Sequence, residues 1–297
     1  LKASASGQTM RKRQSPKRKK LKPKEQVQKK PKLDTSSSAV NITESNLDDV
    51  TPIEETANVL FKPNAGPQTD FLAASEREVL YGGSAGGGKS YAMLADPLRY
   101  MGHPQFSGLL LRHTTEELRE LIFKSQELYP KIWPGIKWSE RKMQWTAPSG
   151  ARLWMSYLDR DDDVLRYQGL AFSWIGFDEL TQWSTPYAWD YMRSRLRSTA
   201  PDLPIFMRAT TNPGGRGHAW VKKMFIDPAP YGKSFDATNI ETTEVLRYPH
   251  GHPKAGESLF KRRFIPARLS DNPFLSETGD YEAILLSLPE QQRKQLL

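Results

Sequence analysis

Between residues 80 and 94 the chain reads LYGGSAGGGKSYAML, with five glycines and a lysine set between two apolar runs. A packed core does not favour so many glycines, because each costs conformational entropy on ordering. The spacing Gly83-Ser84-Ala85-Gly86-Gly87-Gly88-Lys89-Ser90 fits G-x-x-x-x-G-K-[ST]. It follows a short apolar strand candidate (78–82) and opens a helix candidate (88–101), with Pro97 a kink or end. In that setting the glycines let successive backbone N–H groups close around a phosphate, and the helix N-terminus adds unpaired donors. Lys89 is expected to reach the β- and γ-phosphates, and the Ser90 hydroxyl to ligate Mg²⁺. Alone, the loop identifies a nucleotide binder.

The surrounding pattern sets the fold class. SGLLLRH (107–113) reads as an apolar strand, and TTEELRELIFKSQELY as a helix with Thr115 as a possible N-cap. RKMQWTAPSGARLWMSYL reads as a hairpin about Pro-Ser-Gly. AFSWIGFDEL is a buried strand ending in two acids, TPYAWDYMRSRLRS a helix, and IFMRATTNPGG a strand running into a loop. RRFIPARLSDNPFL adds a strand and turn, and TGDYEAILLSLPEQQRKQLL one or two short helices. Strands alternating with helices, several of them apolar throughout, indicate an α/β domain with a mainly parallel sheet.

Acids at the end of an apolar strand lie at the sheet edge where ligands of open α/β folds bind. Trp174-Ile175-Gly176-Phe177-Asp178-Glu179 has this form, that of a Walker B motif. Asp178 is expected to hold Mg²⁺ through water, and Glu179 to polarise an attacking water, which points to an ATPase. In RATTNPGG, Thr211 and Asn212 fall where a short hydroxyl or amide senses a γ-phosphate, with Pro213 and Gly214 suiting a sharp turn. In GPQTDFL, the Gln68 amide carries the donor and acceptor needed to read an adenine edge, although by the residues alone a surface polar residue is the better reading.

Composition excludes several classes. There is no cysteine, hence no disulfide scaffold and no Cys-based metal site. No apolar run approaches the roughly 18 residues of a membrane span. Five histidines show no H-E-x-x-H spacing, and His250 and His252 stand two apart in a loop. The net charge of +9 is unevenly placed: 13 Lys/Arg against 2 Asp/Glu in residues 1–34 give +11, leaving −2 on the rest. Residues 1–55 are expected to form a disordered basic and polar tail, either a phosphate-contacting arm or a solvated extension. Residues 56–225 are read as the P-loop ATPase core. Residues 226–297 are read as the remainder of that domain with a linker.

GPQTDFL…REVLYGGSAGGGKS, LLLRHTTEEL, RYQGLAFSWIGFDELTQW…RSRLRS and TTNPGG, in this order, resemble the ATPase domain of the large terminase subunit of tailed bacteriophages. The resemblance covers residues 60–297. It implies a P-loop NTPase of the RecA-like (ASCE) kind that uses ATP and Mg²⁺ to pump double-stranded DNA into a procapsid. It further implies a homo-oligomeric ring on a portal protein, a small terminase subunit as partner, and a place in the host cytoplasm rather than a membrane. Members also carry a C-terminal nuclease domain, and this chain is read as ending just ahead of it. A ring ATPase implies an arginine acting on a neighbour's nucleotide. Arg166 is the first choice, Arg112 the second, and Arg193, Arg195 and Arg197 form a run expected on one helix. Two rival readings stand beside this one. A related helicase or DNA translocase would need a second RecA-like domain. A non-hydrolysing DNA-tethering protein is opposed by intact Lys89, Ser90, Asp178 and Glu179.

Overall fold

A computed structural model describes residues 61–296; the basic tail expected over residues 1–55 lies outside them. The strands are β1 (Glu78–Gly83), β2 (Ser107–Arg112), β3 (Lys137–Ser139), β4 (Gln144–Thr146), β5 (Arg152–Tyr157), β6 (Trp174–Phe177), β7 (Phe206–Thr211), β8 (Ser234–Asp236) and β9 (Lys261–Ala267). They form one sheet in the order β3-β4-β5-β2-β6-β7-β1-β9-β8. From β5 to β9 every pairing is parallel, while β3, β4 and β8 are antiparallel additions at the two edges. The parallel strands β1, β2, β6 and β7 are buried almost throughout. Helices cover both faces of such a sheet, which is why these strands read as unbroken apolar runs.

The helices are α1 (Pro67–Ala73), α2 (Lys89–Ala95), α3 (Thr115–Ile132), α4 (Tyr187–Arg193), α5 (His218–Val221), α6 (Pro273–Ser276), α7 (Asp280–Leu286) and α8 (Glu290–Leu296). One apolar layer gathers Phe71, Tyr81, Met93, Leu121, Tyr129 and Trp145. The other gathers Phe177, Trp189, Met192, Met207, Trp220 and Phe225. Strand order then places the site. The strand β7 lies between β1, which feeds the glycine-rich loop, and β6, which ends in the two acids. Residues just past β7 therefore emerge between Lys89 and Glu179.

Two local expectations are corrected. The N-cap of α3 is Thr114, whose hydroxyl accepts from Glu117 N at 3.3 Å. Thr114 has the extended backbone that a cap needs, while Thr115 is already the first helical residue. The helix predicted to carry Arg193, Arg195 and Arg197 stops at Arg193. Leu196 instead bridges to Phe172, so the three arginines do not share a helical face. Arg193 turns inward: with Arg262 it clamps the buried Glu78 at the start of β1, where Arg262 Nε lies 2.7 Å from Glu78 Oε2. Burial pushes the Glu78 carboxyl up, and the two guanidiniums more than reverse it, holding it below the ordinary carboxylate range.

Candidate nucleotide site

The loop leaves β1 and turns into α2 at Gly88, whose φ of 75° is left-handed. A Cβ there would also lie 2.8 Å from Gln68 Nε2, so only glycine fits. Donors from all sides engage the loop's carbonyls. Tyr81 Oη donates to Gly87 O (2.8 Å), Asn272 Nδ2 to Gly86 O (2.6 Å) and Gln68 Nε2 to Gly88 O (2.9 Å). Lys89 Nζ donates to the carbonyls of Gly83 and Ser84. Groups that would repel an anion are thus held by donors. One loop amide is itself occupied: Ala85 N donates to Leu296 O at 2.8 Å. Burial pushes the Lys89 ammonium below its ordinary value, and Glu179 and Asp178 pull it part of the way back.

Glu179 sits just beyond β6 in a left-handed backbone, φ 61°, unusual for a non-glycine residue. Its N–H donates to Thr210 Oγ1 at 3.2 Å. Its carboxylate accepts from Asn212 N at 3.1 Å and Asn212 Nδ2 at 3.0 Å. The strained turn thereby aims the carboxylate at the residue that follows β7. Burial raises the Glu179 carboxyl above its usual range and neighbouring Asp178 adds to this, while Lys89 and Arg112 oppose it. Asn212 Oδ1 is buried and has no hydrogen-bond partner among the described residues.

Asp178 is fully buried. Arg112 donates to its Oδ2 from Nε (2.7 Å) and Nη2 (2.6 Å), and Thr210 Oγ1 donates to Oδ1. Arg112 thus belongs to this chain's own acid pair, not to a neighbour's nucleotide as its place among the candidate arginines implied. The sequence gives no sign of the pairing, because the two residues are 66 positions apart. Ser90 and the carboxylates offer an all-oxygen donor set, which suits magnesium. Both Asp178 oxygens are already engaged, so such an ion would be held there through water. Among the described residues no group of three or more His, Cys, Asp or Glu could hold a metal ion.

A cavity of about 490 Å³ is lined by Ala85 to Ser90, by Glu179 and Asn212, by Glu120 and Lys124 of α3, and by Asn272, Leu275 and Tyr281. A second cavity of about 520 Å³ shares Gly88, Tyr91, Asn272 and Leu275 with it and is otherwise mostly apolar, with Phe61, Leu128 and Phe274 in its wall. A polar chamber joined to an apolar one matches a nucleotide's triphosphate and base. Gln68 lines the apolar chamber, but its amide is bonded within the chain, to Gly88 O and from Asn64 N at 2.6 Å. Gly83 and Ser84 do not line either chamber: they extend the β1 edge beside Ala267, with Ser84 N bonded to Ala267 O. Thr211 is buried and outside the cavity lining, its hydroxyl 2.8 Å from Thr181 Oγ1. Arg166 lines neither chamber and is half exposed, bonded to Tyr157 O at 2.8 Å. Asn272 and the α6–α7 segment over the loop were not legible in the sequence, since they reach it from 186 residues away.

Residues 75–252 match the family model described as phage terminase large subunit. No curated protein sequence matches the chain. Among solved structures, the large terminase of a thermophilic bacteriophage superposes with a TM-score of 0.56 at 15% identity, over 80% of this chain and 53% of that one. The same phage's large terminase in complex with ATP-γ-S gives 0.52 at 13% identity, over 78% and 51%. The large terminase ATPase domain of Thermus phage P74-26, as an arginine-to-alanine variant, gives 0.52 at 14% identity, over 80% and 93%. These likenesses show the fold. The chain spans about half the length of the first of these proteins.

Proposed function

The chain belongs to the phage terminase large subunits, and from that premise we propose that it hydrolyses ATP to drive viral double-stranded DNA into a procapsid. The observation that carries this reading is the Glu179 carboxylate, gripped by Asn212 in the wall of the cavity that the glycine-rich loop lines. The loop's amides and Lys89 bind and orient the phosphates, and the apolar chamber takes the base, with Gln68 at its edge. Glu179 accepts a proton from the attacking water. Asn212 N and Nδ2 hold the Glu179 carboxylate in position, which fixes the direction in which that water is presented to the phosphorus. Magnesium, held by Ser90 and through water by Asp178, would supply charge neutralisation on the phosphates. Arg112 holds Asp178 in place through two hydrogen bonds to Oδ2. Thr211 and Asn212 transmit loss of the γ-phosphate outward. Arg166, exposed and outside the lining of its own cavity, acts on a neighbouring subunit's nucleotide in a ring.

The partners that follow are duplex DNA, a portal protein and a small terminase subunit, with the host cytoplasm as the place of work. Among the described residues no helix is long and apolar enough to cross a membrane. The test is portal-dependent protection of blunt duplex DNA from nuclease on adding ATP. Protection is expected. Strand separation without protection would favour a helicase instead.

A further inference from the structure

We propose that the segment Pro213–Phe225, directly after Asn212, is the surface with which this motor grips the phosphate backbone of duplex DNA. The inference deepens the DNA-motor reading and rests on it. Residues 213–226 contain Arg216, His218, Lys222 and Lys223 and no Asp or Glu. All four cationic or titratable side chains belong to exposed residues. Lys222 is paired with Asp227, whereas Arg216 and Lys223 have no ion pair or hydrogen bond among the described residues. Arg166 and Arg197 are engaged, by Tyr157 O and by the carbonyls of Gly169 and Leu170, while Arg119, Arg141 and Arg152 are exposed on other elements and unpaired among the described residues, so what sets Arg216 and Lys223 apart is their place directly after Asn212.

The backbone here is unusual. Lys222–Ile226 forms a π-helical turn, a rare conformation that recurs at functional sites. Beneath it Trp220, Val221, Met224 and Phe225 are buried, so the outward face offers cations and no apolar pocket. Such a face suits a sequence-indifferent polyanion better than a folded protein partner. A duplex presents one negative charge per roughly 1.7 Å of axis, and a few cations give a grip that can be released.

The segment is also tied to the catalytic residues. Thr181 Oγ1 accepts from Thr211 Oγ1, and Thr181 O accepts from Gly217 N at 2.7 Å. Trp220 Nε1 donates to Trp183 O at 2.8 Å. A Cβ on Gly217 would lie 2.1 Å from Trp183 O, so the two backbone segments are packed as closely as glycine permits. Hydrogen bonds and close packing through Thr181 and Trp183 thereby join the backbone that carries Arg216 and Lys223 to the neighbours of Glu179 and Asn212.

The test uses the full chain and a blunt 30-base-pair duplex followed by fluorescence anisotropy across a salt series. In Arg216→Glu/Lys223→Glu, the slope of log affinity against log salt should shrink by roughly 2, at about 0.9 for each phosphate no longer neutralised. Reversing Lys233 and Lys254 instead should change it by less than half as much. The basic tail is common to all these proteins, so the difference reports the segment. Since the chain has no cysteine, Ala219→Cys provides a single exposed thiol. Duplex DNA should slow its alkylation several-fold, which keeps the test valid if the charge reversal fails to fold. An unchanged slope together with an unprotected thiol, in a parent that binds duplex, overturns this surface alone. A parent that binds no duplex at any salt concentration overturns the DNA-motor reading, and this surface with it.

Discussion

At Glu179, burial and the neighbouring Asp178 oppose the charge that water activation needs. A base whose folded pKa is raised must lose its proton before it can act, so the acid limb of hydrolysis should lie above the ordinary glutamate range. A raised folded pKa also costs stability. The cost is absent below the unfolded pKa and grows as pH rises toward the folded one. Glu179→Gln should therefore melt at a higher temperature than the parent at neutral pH, with the gap closing on acidification. Melting curves across pH check this, and a variant less stable than the parent at neutral pH would contradict it. Single residues were legible where chemistry demands a fixed spacing: Lys89, Ser90, Asp178 and Glu179 were read from motifs alone. Asn212 was read as a γ-phosphate sensor, but its grip on Glu179 was not foreseen, since the two are 33 residues apart. The partners of Asp178 were invisible for the same reason, as Arg112 and Thr210 come from other strands.

Among the elements, β1 holds the site at one end and an ionic anchor at the other. Glu78, wholly buried, accepts from Arg193 and Arg262. Removing one member of such a group leaves uncompensated buried charge, and Glu78→Ala should cost about 3–5 kcal/mol in denaturant unfolding. Its carboxyl is held below the ordinary range, so this contribution is present above the unfolded pKa and disappears as pH falls through the folded one. The parent's advantage over the variant should shrink accordingly in acid. A loss under about 1 kcal/mol would show that the clamp is not an anchor. Most elements were readable because parallel strands buried on both faces leave apolar runs. The end of α4 was not, because Arg193 and Leu196 answer to Glu78 and Phe172, far off in sequence.

For the whole molecule, the sheet brings the glycine-rich loop, the acid pair and the 210–212 residues to one edge, and leaves Arg166 out of the cavity lining. A site completed in trans is expected to hydrolyse ATP faster per chain as concentration rises. Arg166→Ala should lose that rise, with a rate deficit on the order of 10³ in the assembled state. Equal concentration dependence in both proteins would place the arginine elsewhere. The central claim is that ATP is bound at this edge and cleaved with Glu179 as base, and Glu179→Gln tests it most directly. Nucleotide affinity and single-turnover hydrolysis should be measured on the same preparation. The account predicts ATP binding close to that of the parent, with hydrolysis slowed by about 10²–10⁴. A variant that binds ATP and hydrolyses it at the parent's rate would contradict the account.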